Sequence, residues 1–301
     1  MIKITNFSTA YQTKLVEFIN SVNESFDSPK ELSQIFFDQS INIPPSKPEN
    51  DCYIALSKNE IIGFLQLIDE SPIGRLVGLQ TIKPGPYFEN VLQKFIDLAI
   101  KRGSEINTQV INFQISQYDK ESPEIFKTNA WKKIKTYWNL KFENPELEDL
   151  LLPEGYSLRH FDSAKDAKAL MELQNLSFET HWGFSPNDME QIVYRTRMER
   201  TTNQGIIFIE KDSEIAGYNW TMESRNADSA IGWVAMTGVH PKYRGLRLGR
   251  AVVLAGMHYL ISQNVPHIEL EVDSENIPAT NLYESIGFKK VDQTYWYQKD
   301  L

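Results

Sequence analysis

The chain opens on alternating hydrophobic and polar positions, Ile2-Lys3-Ile4-Thr5-Asn6, the pattern of a half-buried β-strand. Apolar residues at helical spacing follow, and a turn then leads into another strand at Asn59–Phe64. Strands and helices continue to mix along the rest of the chain. We therefore expect a mixed α/β (α+β) fold with a largely antiparallel sheet flanked by helices.

The same pattern of elements occurs twice. A shift of 154 residues places Asn59-Glu60-Ile61-Ile62-Gly63-Phe64 on Ser213-Glu214-Ile215-Ala216-Gly217-Tyr218. A shift of 157 residues places Ala130-Trp131-Lys132-Lys133 on Gly287-Phe288-Lys289-Lys290. Because the offset grows slowly and keeps strand on strand, we predict two tandem domains, residues 1–148 and 149–301. The acidic, proline-containing segment Glu143–Asp149 is the predicted linker.

The composition argues against several classes of function. No window approaches the ~20 apolar residues of a membrane span, and the N-terminus lacks the layout of a signal peptide. The single cysteine, Cys52, fits a reducing compartment, so we expect a cytoplasmic protein. The expected assembly is a monomer or homodimer. The net charge of −9 argues against nucleic-acid binding and is compatible with a cationic substrate. The five histidines show no metal-ligand spacing, so no metal is expected.

A predicted strand at Ile231–Val239 leads into a turn rich in glycine and arginine. Pro241 ends the strand, Gly245 and Gly249 stand four residues apart, and an apolar helix follows. The start of a helix leaves backbone N–H groups unpaired and carries partial positive charge, which favours anions. The turn therefore predicts a pyrophosphate site, although a solvated surface turn would look similar.

A second helix is predicted near the C-terminus. Pro278 suits its first turn and Gly287 its end. Ala279, Leu282, Tyr283 and Ile286 share one face, on which Tyr283 alone has an exchangeable proton.

These residues carry a resemblance. Val239-x-Pro241-x-x-Arg244-Gly245-x-x-x-Gly249, then Asn276-x-x-Ala279-x-x-Leu282-Tyr283-x-x-x-Gly287-Phe288, resemble the GNAT superfamily of N-acetyltransferases. The tandem arrangement and the segment His181-Trp182-Gly183-Phe184 resemble its mycothiol-synthase-like branch.

The resemblance implies acetyl-CoA as co-substrate in the second domain. The backbone of residues 237–239 would pair with the pantetheine arm and polarise the thioester carbonyl, and Asn276 would hydrogen-bond the cofactor. Tyr283 would be the catalytic acid that protonates the departing thiolate. The cofactor-binding residues so implied are Thr237, Gly238, Val239, Arg244, Gly245, Leu246, Arg247, Leu248, Gly249, Arg250, Asn276, Ala279 and Tyr283.

Two positions depart from the family pattern. Arg247 stands where a third glycine is usual, and we expect its backbone to keep a negative φ. Trp233 stands where the family often has a glutamate that acts as the general base. The base is therefore open between Glu223, Glu271, His181 and water.

The first domain lacks the site. Its loop, Pro84–Asn90, has no arginine, and Pro86 removes an N–H donor while Glu89 repels phosphate. Phe126 replaces Tyr283, and Asp119 replaces Asn276. We expect the first domain to bind no cofactor and to help wall the substrate cleft.

The leading functional hypothesis is transfer of an acetyl group to a primary amine of a small molecule. A protein amine is disfavoured because the first domain would restrict access to the cleft. The alternative is an acyl-CoA sensor or interaction module without catalysis, which the missing base motivates and the retained Tyr283 opposes.

Overall fold

The computed structural model describes residues 1–24, 31–143, 146–225 and 230–301. The chain divides into two compact units: residues 1–136 with 294–301, and residues 137–293. Asn144 and Pro145 of the predicted linker lie outside the described residues.

The strands are β1 (Ile2–Asn6), β2 (Cys52–Ser57), β3 (Glu60–Glu70), β4 (Arg75–Ile82), β5 (Val110–Ser116), β6 (Lys132–Phe142), β7 (Tyr156–His160), β8 (Ile206–Lys211), β9 (Glu214–Arg225), β10 (Ala230–Val239), β11 (His267–Asp273) and β12 (Lys289–Asp300). The helices are α1 (Gln12–Asn23), α2 (Gln34–Ile41), α3 (Pro48–Asp51), α4 (Phe88–Glu105), α5 (Ser122–Thr128), α6 (Ala167–Phe178), α7 (Met189–Arg195), α8 (Leu248–Ser262) and α9 (Ile277–Ile286).

The first unit has the sheet order β1-β2-β3-β4-β5, completed by residues 294–300 of β12. Its pairings are antiparallel except for β4 with β5. Helices α1 and α2 supply apolar residues to one core cluster, and α4 and α5 to another.

The second unit repeats this plan with the order β7-β8-β9-β10-β11, completed by residues 137–142 of β6. Only β10 and β11 pair in parallel among its described strands. Helices α8 and α9 pack into one cluster with β11, whereas α6 and α7 pack with β8 and β9. The predicted α/β class and the tandem repetition of one fold are confirmed.

The last strands do not follow the predicted boundary at 148/149. Leu140 and Phe142 of β6 are buried in the core of the second unit, and Tyr297 of β12 is buried in the core of the first. Apolar alternation predicts that a segment is a strand but carries no information about its partner. The two units therefore divide the chain at 136/137 and 293/294.

Candidate active site

The candidate site lies where β10 runs past its parallel neighbour. In the described structure, β10 pairs with β11 only at Ile231–Trp233, opposite His267–Glu269. A register irregularity between Val234 and Met236 follows, and β10 then continues to Val239 along β9. Irregularities of this kind bend a strand and redirect it. The segment 237–239 thus has backbone groups on one edge that β11 does not pair, which is the feature the predicted pantetheine contact requires.

Gly238 permits a close approach within this segment. A Cβ atom there would lie 2.8 Å from Ser177 Oγ of α6 and 2.8 Å from Tyr218 Cε1 of β9. Any larger residue would push α6 away from the end of β10.

The loop after β10 has the geometry of an anion site. Residues 241–243 form a short 3-10 turn, Gly245 has a φ of 82°, and α8 begins at Leu248 with no side chain capping its N-terminus. Its first backbone N–H groups remain available to a ligand. A pocket of about 490 Å³ opens here, and it is lined by Val239, Tyr243, Arg244, Gly245, Arg247, Leu248, Gly249, Arg250 and Leu282.

Arg247 corrects one expectation. Its φ is 63°, in the left-handed region, rather than negative as expected. The turn into α8 requires this conformation, which glycine adopts freely and arginine adopts at a cost of about 1–2 kcal/mol.

The three arginines of the loop have different surroundings. Arg244 donates through Nη2 to the Ser177 carbonyl at 2.9 Å and through Nε to the Val239 carbonyl at 3.4 Å. Arg250 lies 2.5 Å from the Glu148 carboxylate and donates to Ser285 Oγ at 2.8 Å. The exposed Arg247 side chain makes no hydrogen bond or ion pair to the described residues. Arg247 is therefore the guanidinium most available to an anion.

Helix α9 presents the other predicted residues. Asn276 caps its N-terminus by accepting from the Ala279 N–H at 3.3 Å, which leaves Asn276 Nδ2 as a donor. Tyr283 is 8% exposed and packs against Phe288 in the core cluster that includes β11. Burial raises the pKa of the Tyr283 phenol to about 12. Its hydroxyl therefore stays protonated at neutral pH, as a general acid must.

The structure does not gather every predicted residue into the pocket. Leu282 lines it, whereas its neighbour Tyr283 does not. The other predicted residues outside the lining are Thr237, Gly238, Leu246, Asn276 and Ala279. Leu246 is 50% exposed on the loop surface. Leu282 is a lining residue that the motifs did not single out for binding, although its place on the apolar face of α9 was a usable signal.

Two of the candidate bases, Glu223 and Glu271, lie at different distances from the end of β10. Glu223 pairs in register with Gly232 and bonds to Arg225 at 3.0 Å. Six residues of strand, at about 3.3 Å each, separate position 232 from position 238. Glu223 therefore lies roughly 20 Å before the end of β10. Glu271 is exposed on β11, next to the gap.

The first unit has a different loop. Glu89 stands in the first turn of α4, and Gly85 is flanked by two prolines. Asp119 keeps a capping role at the Asn276 position, since its Oδ1 accepts from the Ser122 N–H at 2.9 Å. Phe126 is fully buried and stacks on Tyr297, with ring centroids 5.1 Å apart. Phe126 thus packs in the core of the first unit, and its side chain has no proton to donate to a thiolate.

In the described parts of the chain, no helix is both long and apolar enough to span a membrane. Those parts hold no group of three or more histidine, cysteine and acidic side chains placed to bind a metal.

Residues 167–288 match the model of the Acetyltransferase (GNAT) family. The resemblance predicted from the two motifs is confirmed for residues 167–288, and the chain as a whole shares its fold with tandem GNAT proteins. In the solved structures, the fold is similar to a GCN5-related N-acetyltransferase from Sphaerobacter thermophilus (TM-score 0.77, 16% identity, 99% of this chain and 95% of that one). It is also similar to a tandem GNAT protein from the clavulanic acid biosynthesis pathway (TM-score 0.76, 14% identity, 100% and 98%).

Curated relatives match at higher identity over a shorter stretch. A mycothiol acetyltransferase from Acidothermus cellulolyticus is 33% identical over 155 residues, which is 48% of this chain and 47% of that protein. The corresponding enzyme of Thermobispora bispora is 35% identical over 149 residues, 48% and 50% of the two chains. The match therefore spans about half the length of these relatives.

Proposed function

We propose that the protein is an acetyl-CoA-dependent N-acetyltransferase that acetylates a primary amine of a small molecule. The observation that carries the proposal is the bent end of β10 beside an uncapped, arginine-bearing helix start, in the region that the acetyltransferase family matches. The names of the mycothiol acetyltransferase relatives support acetyl transfer to a small molecule.

The residues fit the cofactor that the family implies. Gly245 and Gly249 leave space for a pyrophosphate, because nothing lies within 4 Å of a Cβ built at Gly245, and only Leu282 at 3.7 Å does so at Gly249. The N–H groups of the first turn of α8 and the Arg247 guanidinium supply donors and positive charge. Asn276 Nδ2 offers a further donor.

Bound acetyl-CoA supplies an acetyl group activated as a thioester. The chain's own groups then act around that carbon. Backbone N–H groups of residues 237–239 stabilise negative charge that develops on the carbonyl oxygen. Tyr283 holds a proton at its phenolic oxygen for the sulfur that leaves.

A screen of small primary amines, monitored by acetyl-CoA-dependent release of thiol, tests this proposal. We expect turnover with at least one amine, and none in the absence of acceptor beyond slow hydrolysis. Absence of turnover across the panel, with coenzyme A still bound, would favour the alternative of an acyl-CoA sensor. Trp233, at the usual position of the base, supports that alternative.

We further propose that the second unit alone binds cofactor, with Phe126 and the prolines around Gly85 as the reasons that the first does not. The cytoplasm is the proposed compartment, and the proposed assembly is a monomer or homodimer.

A further inference from the structure

The segment after α6 is held in a fixed loop. Asn175 donates through Nδ2 to the Asn187 carbonyl and accepts from the Asn187 N–H, both at 2.9 Å. Inside the loop, the His181 N–H donates to the Phe178 carbonyl at 2.8 Å, and the rings of these two residues lie 4.8 Å apart. The position of His181 is thus determined by backbone and ring contacts, and its side chain remains accessible to solvent.

The near end of this loop is attached to the end of β10. Arg244 donates to the carbonyl of Ser177, which directly precedes Phe178, and to the carbonyl of Val239, the last residue of β10. One guanidinium therefore joins the C-terminal end of α6 to the strand end where the thioester is proposed to bind.

The middle of the loop lies beside the end of β11. The Trp182 ring lies 6.5 Å from the ring of Tyr137, and Tyr137 pairs in register with Asp273, the last residue of β11. His181 therefore lies on the segment that crosses from the end of β10 to the end of β11. The gap between those ends is where β10 lacks its parallel partner.

Of the other candidate bases, Glu223 fits this place less well. Glu223 lies roughly 20 Å back along β10 and is paired with Arg225. Trp233 has no basic atom. Glu271 is on β11, where it pairs in register with Asn139, and it is the comparison for the test below.

We propose that His181 is the base of the transfer and takes the proton that the acceptor nitrogen loses. This inference rests on the proposed function. As the neutral amine attacks, the C–N bond forms and the C–S bond breaks. The amine proton goes to the His181 imidazole, and the sulfur receives the proton of Tyr283. His181 then releases a proton to solvent and Tyr283 regains one, so that the protons balance.

The electrostatic surroundings agree with this role. Burial, and then the Arg244 guanidinium, lowers the pKa of the His181 imidazole below its ordinary value, while the Phe178 carbonyl and the Asp273 carboxylate raise it. The charged groups that face it are Arg244 from the loop and Asp273 from β11. The net effect favours neutral imidazole at pH 7, which is the form that accepts a proton.

His181→Gln tests the proposal with glucosamine as the probe amine. We expect kcat/KM for glucosamine to fall by about 10²–10⁴-fold, with affinity for coenzyme A within a few-fold of the wild type. Below pH 6.5 the wild-type rate should fall more steeply than the rate of the variant, because protonation of His181 adds to protonation of the acceptor amine. Added imidazole should restore part of the rate, which it would not do for a residue that only shapes the loop.

Imidazole NMR signals provide a readout that is independent of turnover. With coenzyme A bound, the His181 signal should titrate below the ordinary pKa of histidine, and glucosamine should shift it. An unshifted signal, a wild-type rate in His181→Gln, or a shallower acid limb in Glu271→Gln than in His181→Gln would overturn the proposal. A wild-type protein that acetylates no amine would contradict the proposed function, and the NMR result would still decide whether His181 meets the amine.

Discussion

A single hydroxyl distinguishes Tyr283 from Phe126, its counterpart in the first unit. Tyr283→Phe removes that hydroxyl and keeps the ring packed against Phe288. We expect turnover to fall by about 10²–10⁴-fold because proton donation to sulfur is lost. Affinity for coenzyme A should change by less than a few-fold, because the hydroxyl matters chiefly as charge develops on sulfur. Steady-state kinetics and calorimetric titration measure the two effects.

Tyr259→Phe is the matched control. Its hydroxyl lies 2.8 Å from Thr202 Oγ1, toward the C-terminal end of α8 and away from the loop. This variant should turn over like the wild type. If Tyr283→Phe loses affinity but keeps its turnover rate, the hydroxyl anchors the cofactor and is not the acid.

Arg247 combines an unfavourable backbone conformation with a charge that no residue of the described ranges pairs. Arg247→Gly should leave the free energy of unfolding unchanged or raise it by less than about 1 kcal/mol, because relief of strain is partly offset by greater chain entropy. The same change should weaken coenzyme A binding tenfold or more, because a charge-assisted hydrogen bond contributes about 1.5–3 kcal/mol. Denaturant unfolding and calorimetry would separate these effects. Tight binding by a stabilised variant would show that the pyrophosphate does not use this guanidinium.

At the scale of elements, both units close the loop after their first long helix in the same way. Asn20 exchanges two hydrogen bonds with the backbone of Leu32, at 3.0 and 2.9 Å, as Asn175 does with Asn187. Recurrence of this pair in the unit without a predicted site indicates that the asparagine is architectural. The residues that it positions, among them His181, are what differ between the units.

This recurrence provides a matched pair of variants. Asn175→Ala and Asn20→Ala each remove two hydrogen bonds, and each should lower the free energy of unfolding by about 1–3 kcal/mol. Only Asn175→Ala should also lower the acetylation rate, because it releases the loop that carries His181. Thermal unfolding together with turnover checks this. Equal loss of activity in both variants would mean that global stability controls the rate.

Local pattern predicted most of the elements. The spacing of Leu248 to Leu260 and the pair Pro278 and Gly287 predicted α8 and α9 to within one or two residues. The conformation of Arg247 was not predictable, because the geometry of the turn overrides the preference of the residue that occupies it. Nor could the sequence show that Arg244 bonds to carbonyl groups at the ends of α6 and β10, since these positions meet only after folding. The pocket, by contrast, could be predicted from the glycines at the start of α8.

At the scale of the whole molecule, the asymmetry of the loops predicts one coenzyme A per chain. Calorimetric titration of the intact protein should give a stoichiometry near one. Arg247→Gly should weaken that one site, whereas a change in the first unit's loop, such as Lys83→Ala, should not. Two equivalent sites would show that the prolines around Gly85 do not prevent binding.

Each unit is completed by a strand from the other predicted domain, and this gives a structural reason to keep a unit that has no predicted site. Residues 137–142 are encoded ahead of the predicted boundary, yet they cover the edge of β11 and bury Leu140 and Phe142 in the core of the second unit. A gene shortened to its second half would expose that edge, and unpaired edges invite aggregation. Residues 294–300 make the reciprocal contribution to β5. Each half of the gene therefore encodes a strand that completes the sheet of the other half, so removal of either half would leave the other with an uncovered edge.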